Sequence, residues 1–597
     1  MILFPSASVE LRLANEWRCC GNSLFRGHFF IDGVLDDMDL IGSSGSAEEM
    51  LSTLAKAHGF FSFIISDEDT LILAVDHVRS IPIYYRMAEG RLIVSDDPAL
   101  IVDLRQDKLG TDAVLDFLCV GYVTENGTLL QGVKQVEPGS CMVFRSGNLE
   151  KRTHFSYRPN IERSIVPDSY YDAFVEALAG SFRRLKEVTK GGQIALPLSG
   201  GCDSRLIATC LRRFGLDNVI AFAYGRAGDP DPATSKKVAE ALGIEWFCVD
   251  YSNEKWEEIS RTKSWSDYCA YAFQFSSVPH PQDYPAIEAL VADGVLEKGA
   301  TIIPGHRPDG AKVPEFALDG NGMVAKEAIA KKILDTNYRL FKIRPGSALD
   351  RRFQSRLCNS FDVDGAVPLN VAASVKERWF LRERAPKFIV HSVRCYEHFG
   401  LNWWLPLLDK GFLSFWARTA WSCKEKECYV SSGRRLMKEI VGEGGAVEGI
   451  SWKIGGEQRA LARYSLAPAA LLGRFVNLDG LRNNRFFNDL LYQLGNFRKG
   501  DYESGRSLFG LVERGEFMRV YTGIETKNSF IALDLVKDLL DPNLMSPQER
   551  ECFRSIVLFK SDMLRYLEGN RRRLLRGGSR AITRRTLPGS PKRGSEL

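Results

Sequence analysis

The sequence lacks the features that mark membrane proteins and proteins of oxidising compartments. No segment approaches the roughly 18 consecutive apolar residues that a membrane-spanning helix needs. The first residues have no basic segment ahead of a long apolar stretch, so they do not resemble a secretory leader. The cysteines are scattered and form no CxxC pair, which favours reduced thiols over a disulfide framework or a zinc site. We therefore expect a cytoplasmic protein without a transmembrane segment.

A general excess of positive charge is also absent, although the chain of 597 residues has a formal net charge of +4. Residues 571–597 contain eight Arg, one Lys and one Glu, so the rest of the chain is slightly acidic. This distribution argues against a basic body that binds nucleic acid, and no nucleic-acid partner is expected. The tail 570–597 is expected to be basic and disordered; attachment to an anionic surface or partner is the alternative.

The length and the changing pattern of apolar residues indicate several structural units. Residues 1–155 contain short apolar runs punctuated by Gly, Asp and Asn, which predict an α+β domain built on antiparallel strands. In the segment 165–460, strands alternate with helices of similar length, which predicts an α/β domain with a parallel sheet. The predicted strands are 193–198, 219–224 and 245–249, and the predicted helices between them are 205–214 and 233–242. A helical extension is expected at 461–569.

The most informative segment closes the first of these strands and opens the next helix. It reads Leu198-Ser199-Gly200-Gly201-Cys202-Asp203-Ser204. Its glycines allow a tight turn, and the N-terminus of the following helix adds partial positive charge, so the segment suits a phosphate group. The spacing matches neither a Walker A loop nor a dinucleotide fingerprint. An ordinary strand-to-helix turn is the alternative. Pro197 is unusual here, because it cannot donate a hydrogen bond within a strand that should be central.

The segment Ser199-Gly200-Gly201-x-Asp203-Ser204 resembles the pyrophosphate loop of the N-type ATP pyrophosphatases. Further segments, in the same order along the chain, resemble the asparagine synthetases of the glutamine-hydrolysing type over about residues 50–460. The segments are 59–63, 74–79, 81–85, 94–96, 117–123, 128–133, 136–139, 222–225, 304–310 and 404–413. The charged stretch 383–400 suggests a divergent branch of that family.

The resemblance implies a particular fold class for each part of the chain. Residues 1–155 would form an α+β, Ntn-hydrolase-like sandwich domain of the glutamine amidotransferase type 2. Residues 165–460 would form an α/β parallel-sheet ATP-pyrophosphatase domain, Rossmann-like and similar to the adenine nucleotide alpha hydrolases, with a mostly helical C-terminal part. ATP and Mg²⁺ are the cofactors that this resemblance implies.

The resemblance also implies roles for individual residues. Asp203 and Asp309 would hold Mg²⁺ on the phosphates of ATP, since carboxylates suit a hard cation. Lys453 and Asp309 would be catalytic, with Lys453 as a fixed cation at the reacting phosphorus; a solvated surface lysine is the alternative. Arg434 and Arg435 are a second candidate phosphate clamp, or the start of an amphipathic helix. The expected nucleotide-binding residues are Leu198, Ser199, Gly200, Gly201, Asp203, Ser204, Ala223, Tyr224, Gly225 and Gly305.

The chain departs from the family pattern at chemically important positions. The family's glutaminase domain uses a Cys at position 2, where this chain has Ile2. The nearest thiols, Cys19 and Cys20, are expected to be small apolar core residues rather than nucleophiles. We therefore expect the N-terminal domain to be inactive as a glutaminase. His306 and Gly310 stand where the family has acidic residues, and His306 could be structural or catalytic.

These observations lead to one main functional hypothesis and one alternative. The main hypothesis is an AMP-forming carbon–nitrogen ligase that uses ATP to adenylate a small-molecule carboxylate, aspartate or a related acid, and converts it to an amide with ammonia or an amine donor. The alternative is a catalytically silent relative that acts as a nucleotide- or protein-binding module. The acceptor stays open among aspartate, a uronic acid sugar and a peptide carboxylate, and a homodimer is a further open expectation.

Overall fold

The N-terminal part of the computed structural model contains two β-sheets. The model describes residues 8–37, 47–67, 69–104, 106–159, 165–225, 229–308, 316–424, 426–442, 527–537, 539–558 and 561–576. One sheet has the order β11-β10-β6-β5-β3-β2, with β4 paired to β3, and the other has the order β1-β8-β7-β9. The strands are β1 Val9–Arg12, β2 Arg18–Cys20, β3 Ser23–Ile31, β4 Val34–Leu35, β5 His58–Asp67, β6 Thr70–Val75, β7 Tyr84–Ala88, β8 Arg91–Ser95, β9 Lys134–Gln135, β10 Ser140–Arg145 and β11 Asn148–Thr153.

Apolar side chains fill both faces of the larger sheet, because successive residues of a strand point to opposite sides. On one face, Leu73 of β6 belongs to a buried cluster with Leu92 and Val94 of the smaller sheet. On the other face, helix α1 (Ala47–Lys56) places Met50 and Leu54 against the phenylalanines of β3 and β5. The pairs in both sheets are antiparallel except β1 with β8, as the short punctuated runs predict.

A parallel sheet of five strands lies at the centre of the second part. Its order is β14-β13-β12-β15-β17, and all four neighbouring pairs are parallel. The strands are β12 Ile194–Pro197, β13 Val219–Gly225, β14 Glu245–Asp250, β15 Thr301–Ile302 and β17 Asn402–Trp403. This sheet agrees with the alternating pattern of strands and helices in the sequence.

The position of Pro197 explains how a central strand accommodates a proline. Ile194 and Leu198 both donate their backbone N–H groups toward β13, so the nitrogen of Pro197 faces the opposite neighbour, β15. The ladder between β12 and β15 pairs only Ile194 with Thr301 and Ala195 with Ile302. The missing donor therefore falls beyond the end of that ladder and costs no sheet hydrogen bond.

Helices surround the parallel sheet and make up most of the described chain after residue 316. The helix that follows the glycine turn starts at Cys202, because Gly201 is its N-cap. It begins three residues earlier than predicted. The helices are α2 Thr111–Val120, α3 Pro167–Thr189, α4 Cys202–Arg213, α5 Pro230–Ala241, α6 Asn253–Ile259, α7 Lys263–Phe273, α8 Tyr284–Ala292, α9 Lys326–Asn337, α10 Ala348–Ser360, α11 Leu369–Trp379, α12 Arg394–His398, α13 Lys410–Arg418, α14 Trp421–Lys424, α15 Lys426–Val441, α16 Lys527–Val536, α17 Pro547–Arg554 and α18 Met563–Arg576.

A ten-residue π-helix, Phe380–Ile389, continues α11 and contains Pro386. It is followed by a short 3₁₀ segment, Val390–Val393, before α12. π-Helical turns are rare and often occur at functional sites. The π-helix forms one wall of a cavity described below.

The C-terminal described segment returns to the body of the protein. Strand β16 (Lys342–Ile343) pairs with β18 (Ile556–Leu558), which pairs in turn with β19 (Ser561–Asp562). Helix α18 runs to Arg576 and so crosses the boundary predicted at residue 570. The tail beyond 576, and the stretch 443–526 that includes Lys453 and most of the predicted helical extension, lie outside the described residues.

None of the helices in the described parts of the chain is long and apolar enough to cross a membrane.

Candidate nucleotide-binding site

The turn between β12 and α4 is held in shape by its own serines. The hydroxyl of Ser204 accepts the backbone N–H of Ser199 at 3.1 Å and lies 3.0 Å from the hydroxyl of Ser199. The hydroxyl of Ser199 in turn accepts the backbone N–H of Gly201 at 3.1 Å. These bonds close the loop over six residues, from the end of the strand to the first turn of the helix.

Arg205 orients the peptide groups of the same loop through two hydrogen bonds. This buried side chain donates through Nε to the carbonyl of Gly201 at 3.1 Å and through Nη2 to the carbonyl of Gly200. Each carbonyl that points toward Arg205 leaves the N–H of the next residue pointing the opposite way, because a peptide group is planar and trans. Helix α4 has no side-chain cap on its first turn, so its N–H groups face outward and can receive an anion.

Asp203 lies on the first turn of α4 and is bound by two residues from distant parts of the chain. Arg307 Nε lies 2.9 Å from Asp203 Oδ1, and the hydroxyl of Tyr429 donates to the same oxygen at 2.9 Å. The guanidinium of Arg307 also lies 5.2 Å from the ring centroid of Tyr429. The guanidinium of Arg307 thus lies directly beside the acidic residue of the loop.

Two glycines allow close approach at this turn. A Cβ atom on Gly200 would come within 2.5 Å of Asp231 Oδ1, and one on Gly305 would lie 3.3 Å from the backbone nitrogen of Ser204. Gly305 therefore brings the loop after β15 against the N-terminus of α4. A larger residue would require the carboxylate of Asp231 or the loop to move at Gly200, and the backbone at Ser204 to shift slightly at Gly305.

Cationic side chains surround this loop. Burial raises the pKa of the Cys202 thiol and Asp203 adds to the rise, whereas Arg205, Arg307 and Arg434 oppose it. The charge of Arg434 therefore acts on Cys202 at this loop. Arg435 instead stacks on Tyr171, with its guanidinium carbon 3.7 Å from the ring centroid, and pairs with Glu439 at 3.3 Å. The two candidate arginines therefore have different surroundings: the charge of Arg434 acts at the loop, whereas Arg435 contacts Tyr171 and Glu439.

The end of β13, where an adenine is expected, carries an aromatic stack. The ring of Tyr224 stacks on Tyr251 with centroids 4.9 Å apart, and its hydroxyl donates to Asp283. Asp283 is buried and also accepts the hydroxyl of Tyr396 at 2.6 Å. Ala223 is buried and the Gly225 carbonyl accepts the backbone N–H of Tyr251 at 2.8 Å. The end of β13 is thus held by an aromatic stack and by a hydrogen bond to a buried carboxylate.

His306 lies beside the same loop and is bonded to Ser392, with 2.9 Å between Nε2 and Oγ. Burial lowers the pKa of His306 to about 4; Asp283 opposes this change and His280 adds to it. His306 is therefore neutral at physiological pH. It cannot replace the negative charge that an acidic residue would supply at this position.

The structure brings together most of the site residues that the sequence suggested. Leu198 to Ser204 and Gly305 meet at one turn, and Ala223 to Gly225 end the adjacent strand. Asp309 and Lys453 lie outside the described residues. Among the residues that are described, no group of three or more His, Cys, Asp or Glu side chains could hold a metal ion. Asp203 is the described carboxylate on the loop itself, and the carboxylate of Asp231 lies close to Gly200.

Sequence reasoning missed Arg205, Arg307 and Tyr429 as partners of the loop. Arg307 was visible as a cation two residues ahead of Asp309, but the contact of Tyr429 with Asp203 spans 226 residues and has no local signal. The prediction that Cys19 and Cys20 are core residues is wrong, because both are exposed on β2. Strand β2 is the edge of its sheet and turns back at Gly21, so the described residues leave these thiols exposed.

Residues 46–155 match the model of a glutamine amidotransferase domain. The chain is also 29% identical over 177 residues to carboxyethyl-arginine beta-lactam-synthase of Streptomyces clavuligerus, an alignment that covers 28% of this chain and 33% of the relative. The chain thus matches about a third of the length of that relative.

Two solved structures show weak likeness to the chain. The NH₃-dependent NAD synthetase from Campylobacter jejuni is 17% identical, with 22% of this chain and 57% of that chain covered and a TM-score of 0.17. The glutamine phosphoribosylpyrophosphate amidotransferase from B. subtilis, in complex with ADP and GMP, is 13% identical, with 47% and 54% covered and a TM-score of 0.16. These TM-scores are too low to establish a common overall fold.

Proposed function

We propose that the chain is an ATP-dependent ligase of the asparagine synthetase family, which joins a carboxylate to a nitrogen nucleophile. The observation that carries the proposal is the loop from Ser199 to Ser204, which presents the uncapped N-terminus of α4 beside the guanidinium of Arg307. A polyphosphate that leaves as a dianion or trianion needs such a cradle.

The proposed reaction activates an acid that is otherwise unreactive toward amines. A carboxylate oxygen of the acceptor attacks the α-phosphorus of ATP, the bond from that phosphorus to the bridging oxygen breaks, and pyrophosphate leaves with the electron pair. The nitrogen nucleophile then attacks the acyl carbon, AMP leaves, and the nitrogen loses a proton to solvent. Ser199, Gly200, Gly201 and Ser204 would bind the departing pyrophosphate. The strand end at Ala223, Tyr224 and Gly225 would contact the adenine.

The residues at the loop fit one Mg²⁺ ion bound mainly through phosphate oxygens. Mg²⁺ is often held by one or two carboxylates together with the phosphates of a nucleotide. Asp203 would supply a carboxylate, and Asp309 is the proposed second one. The ion would neutralise phosphate charge. The protein would contribute the position of Asp203, which Tyr429 and Arg307 fix from two sides.

We propose that the N-terminal part does not supply the nitrogen by hydrolysing glutamine. The exposed Cys19 and Cys20 lie within the chain on an edge strand. An N-terminal nucleophile needs its own α-amino group as the base, which an internal cysteine lacks. Ammonium or an amine should therefore support amide formation, and glutamine should not. Equal rates with glutamine and ammonium would contradict this assignment.

The ion pair between Arg307 and Asp203 favours a second candidate function, a silent nucleotide-binding module. If Arg307 occupied Asp203 permanently, the carboxylate could not bind a metal ion and the loop would only hold phosphate. The two functions make different predictions for turnover, although both predict binding of ATP.

Pyrophosphate release decides between the two candidates. The full chain would be incubated with ATP, Mg²⁺, ammonium and a panel of carboxylic acids, next to an Asp203→Ala variant. An Asp217→Ala variant is a matched control, because Asp217 is 87% exposed near the far end of α4. The ligase predicts release that depends on the acid and is lost with Asp203→Ala only. Binding of ATP without release from any acid would instead support the silent module.

A further inference from the structure

A cavity of about 350 Å³ opens directly beside Gly305. We call it the acceptor cavity. It is lined by His280, Gly305, His306, Arg307, Phe380, Arg384, Phe388, Ile389 and Ser392. Gly305 also contacts the first turn of α4, so the cavity adjoins the proposed phosphate site. A carboxylate bound here would lie next to the nucleotide that activates it.

The π-helix supplies the far wall of the acceptor cavity. Phe380, Arg384 and Phe388 follow one another at intervals of four residues, and all three line the cavity. The guanidinium of Arg384 lies 4.7 Å from the ring centroid of Phe388. The wall therefore combines one cation with two aromatic rings, which suits an anion that also has an apolar part.

Arg384 differs from the other cations in its neighbourhood. Arg382 and Lys387 pair with Glu383, Arg378 pairs with Asp362, and Arg394 pairs with Glu397. No ion pair joins Arg384 to an acidic residue in the part of the chain that the structure describes. A half-buried guanidinium beside an aromatic ring gains most from an anion that it can bind in two-point fashion.

The described lining contains no carboxylate that could bind an ammonium group. Asp283, a buried acid whose charge acts on His306, already accepts the hydroxyls of Tyr224 and Tyr396. His306 is bonded to Ser392 and neutral, and His280 is a neighbour of it. An ammonium group in this cavity would face the guanidinium groups of Arg307 and Arg384, of which only Arg307 has a carboxylate partner, Asp203, among the described residues. Such an arrangement is unfavourable by Coulomb's law even when partly screened by solvent.

We propose that the acceptor is a carboxylic acid that lacks a charged amino group near the carboxylate, and that Arg384 binds its second anionic or carbonyl oxygen group. An acid with an acylated nitrogen or with no nitrogen belongs to this class, and a free zwitterionic amino acid does not. This assignment rests on the proposed ligase function. It excludes free aspartate as the preferred acceptor and retains acids whose nitrogen is part of an amide.

A matched set of three acids tests the proposal by direct binding. Succinate, aspartate and N-acetylaspartate share the same two carboxylates and differ in whether the nitrogen is absent, charged or neutral. Isothermal titration of the full chain, with a non-hydrolysable ATP analogue present, should give succinate and N-acetylaspartate at least about tenfold higher affinity than aspartate. Arg384→Gln should lower the affinity for succinate by about tenfold, as expected for loss of a charge-assisted contact.

Arg382→Gln is the control, because Arg382 lies on the same π-helix but pairs with Glu383 and does not line the acceptor cavity. Arg384→Lys should recover part of the affinity. Equal affinity for aspartate and succinate, no saturable binding of either anion, or equal effects of the two arginine variants would each overturn the proposal. A change in affinity for the ATP analogue alone would assign Arg384 to the nucleotide and would also overturn it.

Parallel measurement of pyrophosphate separates this proposal from the function on which it rests. Binding of succinate through Arg384 without pyrophosphate from any acid would contradict the ligase function and leave the binding assignment standing. Pyrophosphate formed equally well with aspartate and with succinate would support the ligase and contradict the specificity.

Discussion

Arg307 and Asp203 form an ion pair at the mouth of the glycine loop, with 2.9 Å between Nε and Oδ1 and exposed fractions of 13% and 28%. The pair joins the loop after β15 to the first turn of α4. It holds a cation beside the anion site but also occupies the carboxylate proposed to hold Mg²⁺. Arrival of a nucleotide with its metal ion would offer Arg307 a phosphate in exchange for Asp203.

Replacement of Arg307 by Gln should weaken ATP binding because the phosphates lose a nearby cation. The expected change is a rise of about tenfold in the KM for ATP, the size typical of losing one charge-assisted hydrogen bond. Steady-state pyrophosphate release as a function of ATP would measure it. Arg213→Gln, at the other end of α4 and half exposed, should leave the KM unchanged. An unchanged KM in the Arg307 variant would remove Arg307 from the nucleotide site.

Gly200→Ala should impair the loop through one identifiable contact. The new methyl group would meet Asp231 Oδ1 at 2.5 Å, so either the carboxylate or the loop must move. Shortening Asp231 to Ala in the same chain removes the clashing atom, and ATP binding should recover. Titration with ATP compares the single and double variants. Gly305→Ala meets the backbone of Ser204 instead, so Asp231→Ala should not rescue it.

The neutral state of His306 predicts a pH dependence of stability. Burial lowers its pKa from 6.5 to about 4, so the unfolded chain takes up a proton on His306 between these pH values while the folded chain does not. Stability from this group is complete above about pH 6.5 and falls as the pH drops toward 4, by up to about 1.4 kcal/mol per pH unit.

Thermal unfolding at pH 6.5 and pH 5 would detect this effect. His306→Gln should lose less stability between the two values than the natural chain, because one titrating group has been removed. Burial also lowers the pKa of three other histidines, to about 3 for His77, about 4 for His154 and about 3 for His391. Part of the change of stability with pH should therefore persist in the variant. Identical slopes in both proteins would mean that His306 titrates normally in the fold.

Removal of Arg356 should destabilise the contact between α2 and α10. Arg356 donates to both carboxylate oxygens of Asp116, at 3.0 and 2.8 Å, and Asp116 is only 1% exposed. Arg356→Met would leave the buried carboxylate bonded to Thr124, whose hydroxyl donates to it at 2.6 Å and whose backbone N–H donates at 3.3 Å. A loss of about 3–5 kcal/mol is typical when one member of a buried pair is removed.

Denaturant unfolding of the Arg356→Met variant would measure that loss. The double variant Arg356→Met, Asp116→Leu should recover much of it, because neither charge is then left unpaired. A loss as large in the double variant as in the single one would show that the side-chain volume, not the ion pair, stabilises this contact.

Local features of the chain were predictable, and contacts between distant segments were not. The strand, glycine turn and helix around Ser199 follow one another in sequence, so periodicity and turn chemistry were enough to predict them. The partners of Asp203 come from after β15 and from α15, and no local pattern marks them. The exposure of Cys19 and Cys20 depends on β2 being an edge strand, which composition alone does not reveal.

The pairing of β16 with β18 has a consequence for the order in which the protein forms during synthesis. Ile343 is matched with Ile556, the hydroxyl of Ser529 donates to the carbonyl of Leu340, and Thr111 is bonded to Glu549. A ribosome releases the N-terminal partners of these contacts long before the C-terminal ones. The sheets of the first part and the parallel sheet can therefore assemble early, whereas the three-stranded sheet must wait until residue 562 has emerged.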